Sequence, residues 1–87
     1  MWQVLLHPEV NKFLESLDKE LSERIKNKLR QLKGDPFVFL ESLHGTDYYK
    51  LRIGEYRALI DADFSNKILK VQVLDHRSRV YKRLLHK

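Results

Sequence analysis

The apolar periodicity of the chain changes once, near Tyr48, and that change restricts the folds open to it. Upstream, apolar residues recur at helical spacing; downstream, they alternate at strand spacing. Trp2 to His7 reads first as a strand, with Trp2, Val4 and Leu6 on one face. Pro8 suits the first turn of a helix, where its missing N–H costs nothing. Val10, Phe13, Leu14 and Leu17 then form an amphipathic stripe. Asp18 is placed to cap a second helix, whose apolar positions are Leu21, Ile25, Leu29 and Leu32. Glu20 is spaced to pair with Arg24. Gly34 is expected to end that helix as a C-cap, with Pro36 preventing continuation.

After Tyr48 the strand signals follow closely. Gly54-Glu55, glycine first, suits a two-residue type II′ hairpin turn. Such a turn sets Ile53 opposite Tyr56, Arg52 opposite Arg57, Leu51 opposite Ala58 and Lys50 opposite Leu59. Leu51, Ile53, Tyr56, Ala58 and Ile60 then share the core face. Lys50, Arg52, Arg57 and Leu59 share the other. A second turn around Ser65-Asn66 leads into a strand over Ile68 to Leu74, and His76 to Lys87 reads as a basic, short helical tail. The order β-α-α-β-β-β describes a single α+β domain over residues 1–87, a four-stranded antiparallel sheet with two helices packed on one face.

Two arginines directly opposite each other repel, at about 0.2–1 kcal/mol relative to a neutral pair. Stability alone does not call for them, and three cations on one sheet face suit an anion; a solvated face is the plainer alternative. Charge distribution bears on this choice. Residues 1–47 carry a net −1 and residues 48–87 a net +6, so the excess of +5 lies wholly in the second half. That asymmetry points to a polyanionic partner, nucleic acid before an acidic protein. Arg77 follows the last strand, and Tyr81 lies in an otherwise basic segment, where it could also simply anchor the tail by packing.

Other chemistries lose their residues. Cysteine is absent, which removes disulfide scaffolds, thiolate zinc sites and cysteine nucleophiles. His7, His44, His76 and His86 lie too far apart for a metal motif, and Asp61, Asp63 and Asp75 read as turn and edge carboxylates. Three scattered glycines make no phosphate loop, so neither a metal nor another cofactor is expected. The longest apolar run is Phe37-Val38-Phe39-Leu40, so no membrane association is expected and the chain is expected in the cytoplasm. A site of Lys, Arg and Tyr can act on RNA, whose 2′-hydroxyl serves as an internal nucleophile.

The element order, the segment Tyr49-Lys50-Leu51-Arg52-Ile53-Gly54-Glu55-Tyr56-Arg57 and the closing Asp75-His76-Arg77-Ser78-Arg79-Val80-Tyr81 resemble the RelE/ParE toxin superfamily, most closely its archaeal-type RelE members. Leu43-His44-Gly45 is similar to the loop before that family's hairpin. The resemblance covers essentially the whole chain and implies a RelE-like fold and a toxin of a type II toxin–antitoxin system. It implies a ribosome-dependent endoribonuclease that cleaves mRNA in the ribosomal A site by metal-free 2′-hydroxyl attack, held inactive by an acidic, helical RelB-like antitoxin. By the same resemblance Lys50, Arg52, Arg57, Arg77 and Tyr81 fall on the five functional positions. ParE members share the fold, poison DNA gyrase through protein contact, and generally lack the complete set. A module that binds RNA or ribosomes without cutting is the other alternative. The second basic position is lysine in well-known bacterial members and Arg52 here. Arginine stays protonated in proteins, so Arg52 can clamp a phosphate but cannot act as a base. The base role falls to Lys50 or Tyr81.

Overall fold

The computed structural model describes residues 1–85. The last two positions of the expected tail, His86 and Lys87, lie outside the described residues. The chain runs β1 (Gln3–Leu6), α1 (Pro8–Ser16), α2 (Lys19–Arg30), 3₁₀ turns at Gln31–Lys33 and Pro36–Val38, β2 (Glu41–Ser42), β3 (Tyr49–Ile53), β4 (Tyr56–Asp63), β5 (Ile68–His76) and α3 (Val80–Leu85).

Local chemistry sets most boundaries. Pro8 opens α1, where the His7 ring accepts a hydrogen bond from the Glu9 N–H at 3.1 Å. Asp18 caps α2, its carboxylate accepting from the Leu21 N–H at 2.9 Å. Gly34 departs from expectation. The α-helix tightens into a 3₁₀ turn after Arg30, and Gly34 ends that turn at φ −81°, so it supplies no left-handed cap. The pairing expected between Glu20 and Arg24 does not form either; Arg24 instead lies beside Gly54, where a Cβ would approach its Nη2 to 3.5 Å.

The α+β class and the two helices on one face are as expected, but the sheet has five strands and is mixed, in the order β1-β5-β4-β3-β2. Two features account for the difference. β2 is only two residues long, too short to show a period, and it pairs Glu41 with Lys50. β1 lies parallel to β5, Gln3 against Ile68 through Leu6 against Val71. No turn joins those two strands, so nothing local in the sequence sets their direction.

Val10 and Leu14 of α1 and Ile25 and Leu29 of α2 bury against Leu51, Ile53, Ala58, Ile60, Leu69, Val71 and Leu74. Burial of each large aliphatic side chain contributes about 1.5–3 kcal/mol over leaving it in water. The opposite face carries a smaller cluster, Leu59 and Val73 under Val80 of α3, flanked by Leu43 and Tyr48. A six-residue helix does not persist alone in water, so α3 depends on this seat.

A bulge in β5 positions the second face. Ile60 pairs with Val71 but Leu59 pairs with Val73, leaving Gln72 as an extra residue. Upstream of it Leu69 and Val71 point to the main core; downstream Leu74 does, while Val73 joins the small cluster. The phase change therefore places Asp75 on the cation-bearing face, directly opposite Arg57.

The expected turns both form. Gly54 has φ +57° and Glu55 a negative φ, as a type II′ turn needs. The β4–β5 connection, residues 64–67, ends with Lys67 at φ +53° and is braced by Asp63, whose carboxylate accepts from the Asn66 backbone N–H at 3.1 Å and side-chain amide at 3.0 Å. Those bonds, the side-chain one foremost, hold the Asp63 carboxyl below its ordinary value.

Candidate functional site

The hairpin register is the one that turn geometry implies: Ile53 opposite Tyr56, Arg52 opposite Arg57, Leu51 opposite Ala58, Lys50 opposite Leu59. Lys50, Arg52 and Arg57 therefore share the face that α3 covers in part. Their surroundings differ sharply.

Arg57 is buried, 7% exposed, and sits in register between Arg52 on β3 and Asp75 on β5. Its Nη1 donates to the carbonyl of Gly54 at 2.7 Å and to that of Tyr56 at 2.8 Å. The guanidinium thus closes the turn from which its own strand departs. Arg52 is exposed, and its guanidinium makes no hydrogen bond or ion pair among the described residues. Lys50 lies two residues further along β3, its Nζ 3.8 Å from the Glu41 carboxylate that faces it across β2.

Arg77 arrives from beyond β5. Its backbone N–H donates to the Glu55 carbonyl at 2.8 Å, and its Nε stands 2.8 Å from the Glu55 carboxylate. Both side chains of this pair are more than half exposed, so the ion pair is worth at most about 1 kcal/mol and yields readily to a phosphate. Four residues later Tyr81 stands on α3 next to the buried Val80, about one-third exposed. The fold thus gathers Arg52, Arg57 and Arg77 around the hairpin turn, with Lys50 one strand repeat away and Tyr81 carried by the helix that follows Arg77.

Sequence reasoning missed the framework that holds α3. Asp75 is buried, 6% exposed. It accepts from Arg79 Nε at 3.1 Å and from Arg83 Nη1 at 3.3 Å, with Arg79 Nη2 also 3.1 Å away. Arg83 also reaches Glu9 of α1, Nη2 to carboxylate 3.2 Å. The i, i+4 spacing of Asp75 and Arg79 was a usable signal; the Arg83–Glu9 contact, 74 residues apart in sequence, had none. Of the four candidate cations Lys50, Arg52, Arg57 and Arg77, three are already held by carboxylates or carbonyls, and Arg52 is the one of the four whose guanidinium has no partner among the described residues. Asp61, Asp63 and Asp75 are engaged separately: Asp61 lies opposite Lys70, Asp63 braces its turn, and Asp75 holds arginines. Among the described residues no three His, Asp or Glu side chains group as a metal ion would require.

Chemically, the arrangement offers a fixed, positively charged surface with one open bidentate donor group and one easily displaced neighbour. That is a fit for a phosphodiester.

Solved structures share this fold. The archaeal RelE–RelB complex from Pyrococcus horikoshii OT3 superposes with a TM-score of 0.77 at 30% identity, covering 91% of this chain and 98% of that one. The RelBE2 toxin–antitoxin complex from Mycobacterium tuberculosis gives 0.79 at 19% identity, covering 87% and 98%. The isolated E. coli RelE toxin gives 0.75 at 21% identity, covering 99% and 97%. Among curated proteins none matches. The family model described as "ParE toxin of type II toxin-antitoxin system, parDE" matches residues 4–81. The chain belongs to the RelE/ParE superfamily and is a toxin of the type II toxin–antitoxin class. Among the described residues no helix is long and apolar enough to cross a membrane.

Proposed function

We propose that this toxin is a ribosome-dependent endoribonuclease that cleaves mRNA without a metal, the 2′-hydroxyl of the message attacking the adjacent phosphate. The observation that carries the reading is the open guanidinium of Arg52, in register with Arg57 and beside the exposed Arg77–Glu55 pair. Arg52 and the remaining donors of Arg57 hold the phosphate. Arg77, released from Glu55, meets the charge that develops toward the leaving 5′-oxygen. Lys50 or Tyr81 takes the 2′-hydroxyl proton. Such a site has little acid–base power of its own, so the ribosome supplies the orientation of the RNA. An acidic, helical antitoxin is the proposed inhibitor, a reading supported by the net +6 of residues 48–87 and by the solved complex of the P. horikoshii relative.

An in vitro translation reaction with added protein, followed by primer extension on the mRNA, tests this. Cleavage is expected on translated message and not on naked RNA. Arg77→Ala is expected to slow single-turnover cleavage by about 10²-fold or more, the size of losing one transition-state donor. Ribosome pelleting should stay unchanged, because ground-state binding is retained. Tyr81→Phe distinguishes the two candidate bases: a rate unchanged by loss of the hydroxyl assigns the proton to Lys50. A second reading has one observation in its favour, since the matching family model is described for parDE toxins. Intact message together with a co-purifying gyrase complex would establish that reading in place of the nuclease.

A further inference from the structure

Glu55 occupies the second central position of the β3–β4 turn, where the turn itself leaves the residue open to choice. A type II′ turn calls for glycine at its first central position and makes no demand for a carboxylate at the next. Its closure comes from other groups. Arg57 donates to the Gly54 carbonyl at 2.7 Å, and the Arg77 backbone N–H donates to the Glu55 carbonyl at 2.8 Å. Neither bond uses the Glu55 side chain. That side chain reaches Arg77 instead, carboxylate to Nε at 2.8 Å.

Arg77 has no other carboxylate at ion-pair distance among the described residues. Asp75, close by in sequence, is engaged by Arg79, by Arg83 and by the His76 backbone N–H at 2.7 Å. Glu41 stands by Lys50. One glutamate, its side chain 61% exposed, therefore decides which anion Arg77 meets in the free protein. The contact is short and open to solvent. Both partners belong to one chain, so the carboxylate is present at Arg77 at a high effective concentration. A phosphate arriving from solution has to compete with it at a disadvantage. A phosphate that the ribosome already holds in place competes on equal terms.

We propose that Glu55 is a positioning residue that stands in for the substrate's charge, holding Arg77 away from the leaving group until a positioned phosphate displaces the carboxylate. The inference rests on the proposed nuclease function and adds a restraint to it. As the 2′-oxygen bonds to phosphorus, the 2′-proton passes to Lys50 or Tyr81. The 5′-oxygen leaves with the electron pair of its broken bond to phosphorus and then takes a proton from water. Arg77 answers the charge gathering on that oxygen only by loosening its hold on Glu55. Neutralising Glu55 therefore lowers the barrier and leaves ground-state binding to the ribosome unchanged. An exposed ion pair of this kind is worth at most about fivefold in an equilibrium constant, which bounds the gain.

Kinetics paired with a titration that needs no cleavage provide the test. Glu55→Gln keeps the side chain's length and an acceptor oxygen and removes its charge. On programmed ribosomes it is expected to raise the single-turnover rate about two- to fivefold, with ribosome pelleting unchanged. The same change in an Arg77→Ala background, or Glu23→Gln at an exposed position of α2, should have no effect. The NMR signal of the Arg77 Nε–H, identified by its loss in Arg77→Ala, should shift in Glu55→Gln. Inorganic phosphate should move that signal at about two- to fivefold lower concentration in Glu55→Gln than in the parent protein. A rate unchanged or lowered by Glu55→Gln, an equal gain from Glu23→Gln, or a gain that survives Arg77→Ala would each overturn the inference. So would an Arg77 signal that responds to phosphate equally in both proteins. Message left intact by the parent protein overturns the nuclease function and this restraint with it, whereas cleavage with a negative titration overturns the restraint alone.

Discussion

Arg52 and Arg57 face each other across β3 and β4, yet one stands in water and the other is nearly enclosed. Arg57 holds two carbonyls of the turn, and hydrogen bonds from a charged donor contribute about 1.5–3 kcal/mol. Arg57→Ala is therefore expected to destabilise the fold by about 2 kcal/mol. Arg52→Ala breaks no contact among the described residues and relieves a like-charge pair, so its effect should stay within about 0.5 kcal/mol of zero. Denaturant unfolding of the two variants checks the contrast, and equal losses would refute it. Under the proposed function, this contrast is a division of labour within one cross-strand pair. A loss of activity in Arg57→Ala must be corrected for the turn it dismantles, whereas Arg52→Ala tests the proposed phosphate contact directly. The alternation of side chains was enough to place both residues on one face; which of them was free depended on a turn whose carbonyls point toward only one.

At the level of elements, the two β-turns differ in how well their residues suit them. Gly54 occupies a left-handed position without penalty, but Lys67 occupies one with a Cβ. Lys67→Gly is expected to stabilise the protein by about 0.5–1 kcal/mol, seen as a higher denaturant midpoint with an unchanged slope. The Ser65-Asn66 signal located this turn but not its strain, because the strained residue follows the polar pair. The helices were legible for a different reason: proline at N1, an aspartate cap and an apolar stripe are all local. The C-terminal end of α2 was less so. Gly34 offers a left-handed option, and the packing of Leu32 into the core draws the chain into a 3₁₀ turn before that option arises.

Across the whole molecule, the bulge at Gln72 connects sheet to tail. It brings Asp75 to the face where α3 lies, and Asp75 then holds Arg79 and Arg83 while Arg83 reaches α1. Asp75→Asn removes the charge that organises these contacts. Both arginines retain access to water, so the expected cost is modest, about 1–2 kcal/mol. Amide exchange in α3 should quicken more than in β3 or β4, because the small cluster under Val80 is then its main remaining seat. Uniform quickening across the sheet would show that Asp75 supports the global fold instead.

Periodicity, caps and turn chemistry act over a few residues, and they were sufficient for the α+β class, the two helices on one face and the β3–β4 register. The grouping of Lys50, Arg52 and Arg57 on one face followed from that register. Other features depend on contacts between residues far apart in sequence. These are the parallel seating of β1 on β5, the pairing of β2, and the approach of Arg24 to Gly54. The phase change at Gln72, which brings Asp75 opposite Arg57, belongs with them. An alternating strand looks the same whether its neighbour runs parallel or antiparallel. A one-residue bulge leaves no mark on composition. Both are settled by which pairing buries the most apolar surface while leaving each backbone group a partner, and that is a property of the assembled sheet.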